Sequence, residues 1–215
     1  MTGQPEKKMP LAVYLYRETG DLSPALPRLP QRRQESAARL LRLGKPDEAR
    51  ACIAAECLLR YAVGADAVPV YAPSGKPYLV NSSVHFSLSH SGGVAVCAVA
   101  AAPVGADCER IGAVRGAARA LTEAEAAHLR ALPERERAAY FYDLWTRKEA
   151  VIKLFSSGVA YMQEVRLAQN EALFYGQAAH LSSWTDGGVV FAVAAQTPFA
   201  LQIRALSTAQ LLSWL

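Results

Sequence analysis

The stretch VAVCAVAAAPVGADCER, Val94–Arg110, decides how the chain is read. Val94–Ala101 is a continuous apolar run of strand length and reads as a buried strand. Val104–Arg110 reads as a second, shorter one. Successive side chains of a strand point to opposite faces, so Asp107 and Glu109 share a face and Cys108 points the other way. Two carboxylates side by side among apolar neighbours repel each other unless a cation lies between them. Oxygen ligands in that arrangement suit a hard ion such as Mg²⁺, which keeps several waters and binds phosphate oxygens. The plain alternative is a strand end whose acids are solvated, because D-x-E is a common pattern.

Strands and helices mix on both sides of this stretch. Leu11–Tyr16 reads as a first strand, after a loose tail over Met1–Met9. Gln31 to about Tyr61 is helix-friendly, with a break at Gly44-Lys45-Pro46 and Asp47 as cap of the second helix, which ends before Gly64. Pro69–Ala72, Pro77–Val80 and Val84–Ser89 read as short strands. Thr122 followed by Glu125 has capping-box spacing. A longer helix covers Glu134 to Phe155. Strands are expected near Val189–Ala195 and Ala200–Ala205, then a short terminal helix. Without strict β-α-β alternation, the class is α+β rather than a doubly wound sheet.

Composition narrows the function. The chain has 215 residues, 52% hydrophobic and 20% charged, with a formal charge of +4. That length buries a core without disulfides. The charge is too small to make nucleic acid the default partner and suits an acidic ligand or protein surface. Cys52, Cys57, Cys97 and Cys108 show no C-x-x-C or zinc spacing, which suits a reducing cytosol. No apolar run reaches membrane-spanning length, and the amino-terminal segment lacks the features of a signal peptide.

Three other segments carry candidate chemistry. In Phe141–Phe155 the residues Phe141, Leu144, Trp145, Val151, Ile152 and Phe155 define one buried helix face. Lys148 falls in the middle of that face, with Glu149 at its edge and Lys153 one turn further on. A lysine there must snorkel or meet an anion. Glu149 and Lys153 are either an ordinary i,i+4 pair or a carboxylate and an ammonium facing a cleft. Ser89-His90-Ser91 ends a strand in a glycine turn and offers hydroxyls, an imidazole and backbone N–H groups to an anion, although histidines near turns are commonly plain surface residues. Gly75-Lys76-Pro77 is a turn that presents a lysine but is no Walker A loop. Residues 28–60 hold eight Lys/Arg against four Asp/Glu, Arg32, Arg33 and Arg50 among them; a solvated helix face accounts for such a run.

The order of the segments is more specific than any one of them. Gly75-Lys76-Pro77, Phe86-Ser87-Leu88-Ser89-His90-Ser91, Gly105-Ala106-Asp107-Cys108-Glu109 and Trp145-Thr146-Arg147-Lys148-Glu149-Ala150-x-x-Lys153 together resemble the 4′-phosphopantetheinyl transferases of the surfactin-synthetase-activating, monomeric class. Their pattern reads G-K-P, F-N-x-S-H-S, G-x-D-x-E and W-x-x-K-E-[SA]-x-x-K. The resemblance covers about Arg50 to Lys153. It implies two similar α+β halves related by a pseudo-twofold, residues 1–102 on the nucleotide side and residues 103–215 carrying metal and catalysis. It further implies that Asp107, Glu109 and Glu149 bind Mg²⁺, and that Glu149 and Lys153 are catalytic. Lys76, Ser89, His90 and Arg50 would hold the nucleotide end of coenzyme A, with Arg32 and Arg33 in the same basic segment. Glu125 would lie close to the metal. The implied partners are coenzyme A and an apo acyl or peptidyl carrier protein of fatty acid, polyketide or nonribosomal peptide synthesis, in the cytoplasm. A coenzyme A pyrophosphatase or phosphodiesterase and a noncatalytic carrier-binding module are the alternatives. Ser87 departs from the pattern's asparagine, and Leu154-Phe155-Ser156-Ser157-Gly158 keeps only the second glycine of a G-x-G turn.

Overall fold

Alternating side chains on four strands build the centre of the molecule. The structure, a computed structural model, describes residues 9–215; the tail expected over Met1–Met9 lies outside them apart from Met9 itself. In chain order the elements are β1 (Met9–Tyr16), α1 (Gln31–Arg42), α2 (Pro46–Val63), β2 (Val70–Tyr71), β3 (Pro77–Tyr78), β4 (His85–Ser91), β5 (Val94–Ala100) and β6 (Val104–Arg110). Then follow α3 (Ala117–Ala120), α4 (Glu123–Ala131), α5 (Glu134–Leu154), β7 (Val165–Leu167), β8 (Glu171–Phe174), β9 (Gln177–Asp186), β10 (Val189–Ala195), β11 (Phe199–Ala205) and α6 (Thr208–Leu211).

One sheet has the order β11-β1-β5-β4 and the other β6-β10-β9-β8-β7; β2 and β3 form a separate hairpin. The inner faces meet through Leu11, Val13 and Leu15 of β1, Val94 and Val96 of β5, Ala106 and Cys108 of β6, and Phe191 and Val193 of β10. The outer face of the first sheet packs on α2 through Cys97, Phe86, Leu58 and Leu59. The outer face of the second packs on α5 through Ala192, Ala194, Leu144, Val151 and Ile152. The order of layers is therefore helix, sheet, sheet, helix. Because both of its faces are covered, β10 is apolar at every position, Val189-Val-Phe-Ala-Val-Ala-Ala195, where a half-exposed strand would alternate.

The α+β class holds, and three features differ from expectation for identifiable reasons. Asp47 does not cap α2. Pro46 opens that helix, where its missing N–H costs nothing, and Asp47 instead accepts from Arg50 at 2.7 Å. Three further strands, β7, β8 and β9, lie between Val165 and Asp186. They are short or carry polar outer positions, so their apolar signal is weak. Lastly, the chain does not stay divided at Ala102. β11 returns to pair in parallel with β1, with Leu11 opposite Leu201, and α6 adds Leu211 to the core under α2.

Gly105 sets how closely α5 approaches the second sheet. A Cβ on it would run into the backbone of Ala150 and Leu154, neither of which is a flexible side-chain end. Gly105→Ala is therefore expected to push α5 off β6 and destabilise the protein by roughly 1–3 kcal/mol, the usual cost of overpacking. Urea denaturation checks this; an unchanged midpoint would show that the helix does not depend on the glycine.

Candidate active site

β4 and β6 are edge strands of different sheets, and each leaves one row of backbone groups without a strand partner. Serine hydroxyls at alternate positions of β4 close that gap. Ser87 Oγ accepts from the Ala106 N–H at 2.9 Å and donates to the Ala106 carbonyl at 3.4 Å. Ser91 Oγ accepts from the Arg110 N–H at 3.2 Å. The same row fixes the acids of β6: Ser89 donates to Asp107 Oδ1 at 2.6 Å, and Ser91 donates to Glu109 Oε2 at 2.7 Å. Cys108, between the two acids, is buried in the inter-sheet core and points away from them, as the alternation requires.

α5 completes the cluster from the other side. Lys153 Nζ lies 2.7 Å from Asp107 Oδ1 and donates to Ser89 Oγ at 2.9 Å, so one ammonium meets β4 and β6 at one point. Its partner is thus Asp107 rather than Glu149 one turn back, which corrects the i,i+4 pairing. Burial opposes the charge on Lys153, but Asp107 outweighs it and raises the pKa. Glu149 is pushed up to about 7, first by burial and then by the negative charges of Asp107 and Glu109. Glu109 is raised by burial and by Asp107. Three acids on β6 and α5 therefore feel one another.

They do not stand as a closed ligand set. Among the described residues no three acidic, histidine or cysteine side chains are gathered tightly enough to hold an ion; the convergence expected of Asp107, Glu109 and Glu149 is not seen with these partners. The reason lies in their present partners: Lys153 and Ser89 hold Asp107, and Ser91 holds Glu109. The residues nevertheless fit a divalent cation. Asp107 Oδ2 is buried with no hydrogen-bond partner, and all three acids are hard oxygen donors whose mutual repulsion a cation relieves.

Lys148 is a separate matter. It is fully buried, and its Nζ lies 2.6 Å from Glu125 Oε2 and 2.9 Å from the Ala120 carbonyl. The lysine expected to snorkel or to meet an anion meets Glu125. The same Glu125 oxygen also accepts from the Thr122 N–H, closing the capping box of α4. Glu125 is thereby committed to Lys148 and the cap. The pair ties the α3–α4 segment to α5 immediately beside Glu149.

The candidate nucleotide residues divide around β4. Ser89 faces Asp107, whereas His90 faces the opposite way toward α2; the single anion cradle expected of Ser89, His90 and Ser91 is corrected by strand alternation. His90 Nδ1 lies 3.6 Å from Glu48 Oε2. Burial opposes a charge on His90, but the neighbouring Cys52 and Glu48 outweigh it and raise the imidazole to about 9. Arg33 donates to Cys52 Sγ at 3.5 Å and lies 3.6 Å from the buried Glu56, while Arg32 stacks 4.1 Å from the Tyr71 ring centre. Arg50 approaches the Gly92-Gly93 turn. Lys76 is on the other side. It donates to the carbonyls of Val104 and Leu154, the second at the carboxyl end of α5, and burial brings its pKa down to about 8. It shares a cavity of about 280 Å³ with Lys153 and Ser157.

Sequence reasoning missed Ser87 and Glu48 as parts of the site and gave Ser91 to an anion rather than to Glu109. The period-two serines of Phe86-Ser87-Leu88-Ser89-His90-Ser91 were the available signal, while Glu48 carried none.

Comparison with known proteins bears on the same segment. Residues 103–187 match the family model of the 4′-phosphopantetheinyl transferase superfamily. Over 89 residues the chain is 38% identical to a 4′-phosphopantetheinyl transferase of Bacillus subtilis, covering 40% of each chain. Over 91 residues it is 43% identical to the 4′-phosphopantetheinyl transferase psf-1 of Bacillus pumilus, covering 41% of this chain and 39% of that one. It is 34% identical over 107 residues to the 4′-phosphopantetheinyl transferase HetI of a Nostoc species, covering 46% and 45%. The matches thus span about 40% of the length of the first two of these relatives.

The electrostatics give a pH signature. The folded pKa of Glu149, about 7, lies above its ordinary 4.5, so the folded state holds the proton longer. In chelator, stability should therefore fall as the pH rises from about 4.5 to about 7. Denaturation across that window should show a shallower fall for Glu149→Gln and for the wild type with a divalent cation. An equal slope in all three would remove Glu149 from the acidic cluster.

Proposed function

We propose, from the match of residues 103–187 to the family model of the 4′-phosphopantetheinyl transferase superfamily, that the chain moves the 4′-phosphopantetheine arm of coenzyme A onto a serine of an apo carrier protein. Adenosine 3′,5′-bisphosphate is the other product. The observation that carries this reading is the meeting of Asp107 with Lys153 and Ser89 at the seam of β4, β6 and α5, with Glu109 and Glu149 close enough to be raised by Asp107. An anionic cluster with one embedded ammonium suits a metal-assisted attack on a diphosphate.

Asp107, Glu109 and Glu149 would hold the divalent ion, magnesium by the hardness of its ligands. When bound, it neutralises diphosphate oxygens and helps orient the in-line displacement. The carrier serine oxygen forms a bond to the pantetheine-side phosphorus, and the bond from that phosphorus to the nucleotide-side bridging oxygen breaks. Glu149 takes the serine proton from its place on the acidic patch it shares with Asp107 and Glu109. Lys153 supplies positive charge to the transferring phosphoryl group. Lys76 reaches the phosphates from the seam, while His90 and Arg50 receive the nucleotide's 3′-phosphate behind β4. All these groups come from one chain, so the reading requires no second copy. The net charge of +4 favours docking of an acidic carrier. No helix among the described residues is long and apolar enough to cross a membrane.

The test is mass spectrometry of a panel of apo carriers incubated with the protein, coenzyme A and Mg²⁺. The expected result is a gain of one phosphopantetheinyl group on the carrier serine. Asp107→Ala and Glu149→Gln should lower the rate at least about 100-fold while the proteins stay folded. Hydrolysis of coenzyme A with no carrier modified would replace the transferase reading by a pyrophosphatase.

A further inference from the structure

Behind β4, opposite Lys153, the turn Ser91-Gly92-Gly93-Val94 closes the β4–β5 hairpin with positive φ at both glycines, 56° and 83°. Such a turn aims a backbone N–H outward, and an outward N–H beside cations makes an anion cradle. The cations are present: His90, Arg50 beside Gly93, Lys45 on the cavity wall, and Arg110, whose Nε donates to the Gly92 carbonyl at 2.9 Å. The cradle is taken by one of the chain's own carboxylates. Glu48 Oε1 accepts from the Gly92 N–H at 2.7 Å, and Oε2 lies 3.6 Å from His90 Nδ1. That imidazole nitrogen has no hydrogen bond of its own. Glu48 lines an open cavity of about 550 Å³ with Lys45, Gly92 and Arg110, and its side chain is 31% exposed.

We propose that Glu48 is a built-in competitor for this anion site, holding the Gly92 N–H and His90 until the 3′-phosphate of the nucleotide displaces it. This rests on the reading of coenzyme A as the substrate with its 3′-phosphate at His90 and Arg50. A phosphate brings more oxygens and more charge than a carboxylate, so it outcompetes Glu48. The displaced side chain stays in the first turn of α2, where the helix dipole still favours a negative charge. The outcome is a lower affinity for the 3′-phosphorylated nucleotide; a nucleotide without the 3′-phosphate does not enter the competition. Removing the carboxylate also removes a like charge from beside the bound phosphate.

Isothermal titration of the full chain with coenzyme A and with 3′-dephospho-coenzyme A, at pH 6.0, tests this. The low pH favours the charged imidazole, so the loss of Glu48 discharges His90 less than it would at neutrality. Glu48→Gln should bind coenzyme A about two- to fivefold more tightly, the size expected for relief of one partly exposed like charge, and dephospho-coenzyme A unchanged. Glu48→Ala should act in the same direction, which guards against a defect peculiar to the amide. Unchanged or weaker binding of coenzyme A in both variants would overturn the proposal and make Glu48 a support for His90. Equal tightening of both ligands would overturn it too, because the gain would not involve the 3′-phosphate. If the wild type shows no preference for coenzyme A over its dephospho form, the 3′-phosphate assignment fails first, and Glu48 as competitor fails with it.

Discussion

Two serine hydroxyls on β4, those of Ser87 and Ser91, take the place of a missing strand along the edge of β6 while Ser89 between them holds Asp107, and the rest of the site depends on that contact. Two sheets stacked face to face bring their edge strands close without pairing them. The backbone groups left over must find other partners, because a buried N–H without one costs about 1–3 kcal/mol. Ser87, Ser89 and Ser91 recur with the strand period of two, so all three face β6 at once. The contact that satisfies the edge also places Asp107 and Glu109, because those acids alternate along β6 with the same period. Structure and chemistry here follow from one register.

α5 is the second constraint. It lies on β6 at a separation set by Gly105, which brings Lys153 to Asp107 and leaves Glu149 on the same acidic patch. The buried Lys148–Glu125 pair holds the α4 segment against α5 one residue away from Glu149. A lysine that carries charge inside an apolar helix face is costly unless fully partnered. Its placement beside a candidate catalytic acid suits a fixed backbone at that point more than it suits stability.

Much of this was legible in the sequence. The same-face placement of Asp107 and Glu109 follows from strand periodicity, and Thr122 and Glu125 announced their capping box by spacing. Lys148 stood out because it interrupts an apolar stripe. What could not be read were contacts between elements distant in sequence. Nothing local distinguishes a lysine that answers Glu125 from one that answers a phosphate. Ser89-His90-Ser91 read as one cradle, although alternation turns His90 to α2 and the serines to β6; that needed the knowledge that both sides of β4 are occupied. β11 carries an ordinary strand signal, yet its return to β1 in parallel is a matter of topology that the segment itself does not encode. Glu48 gave no sign at all, since its importance arises from a turn more than forty residues away.

The central claim is that the acids of β6 and α5 hold one divalent ion next to a bound diphosphate, with Lys153 freed to face the phosphate. A crystal of the complex with coenzyme A and Mn²⁺, measured at a wavelength where manganese scatters anomalously, addresses it most directly. The account predicts a single anomalous peak bonded to oxygens of Asp107, Glu109 and Glu149, and a Lys153 ammonium moved from Asp107 onto a phosphate oxygen. A peak away from those three carboxylates, or a bound coenzyme A with Lys153 still on Asp107 and no manganese between the acids, would contradict it.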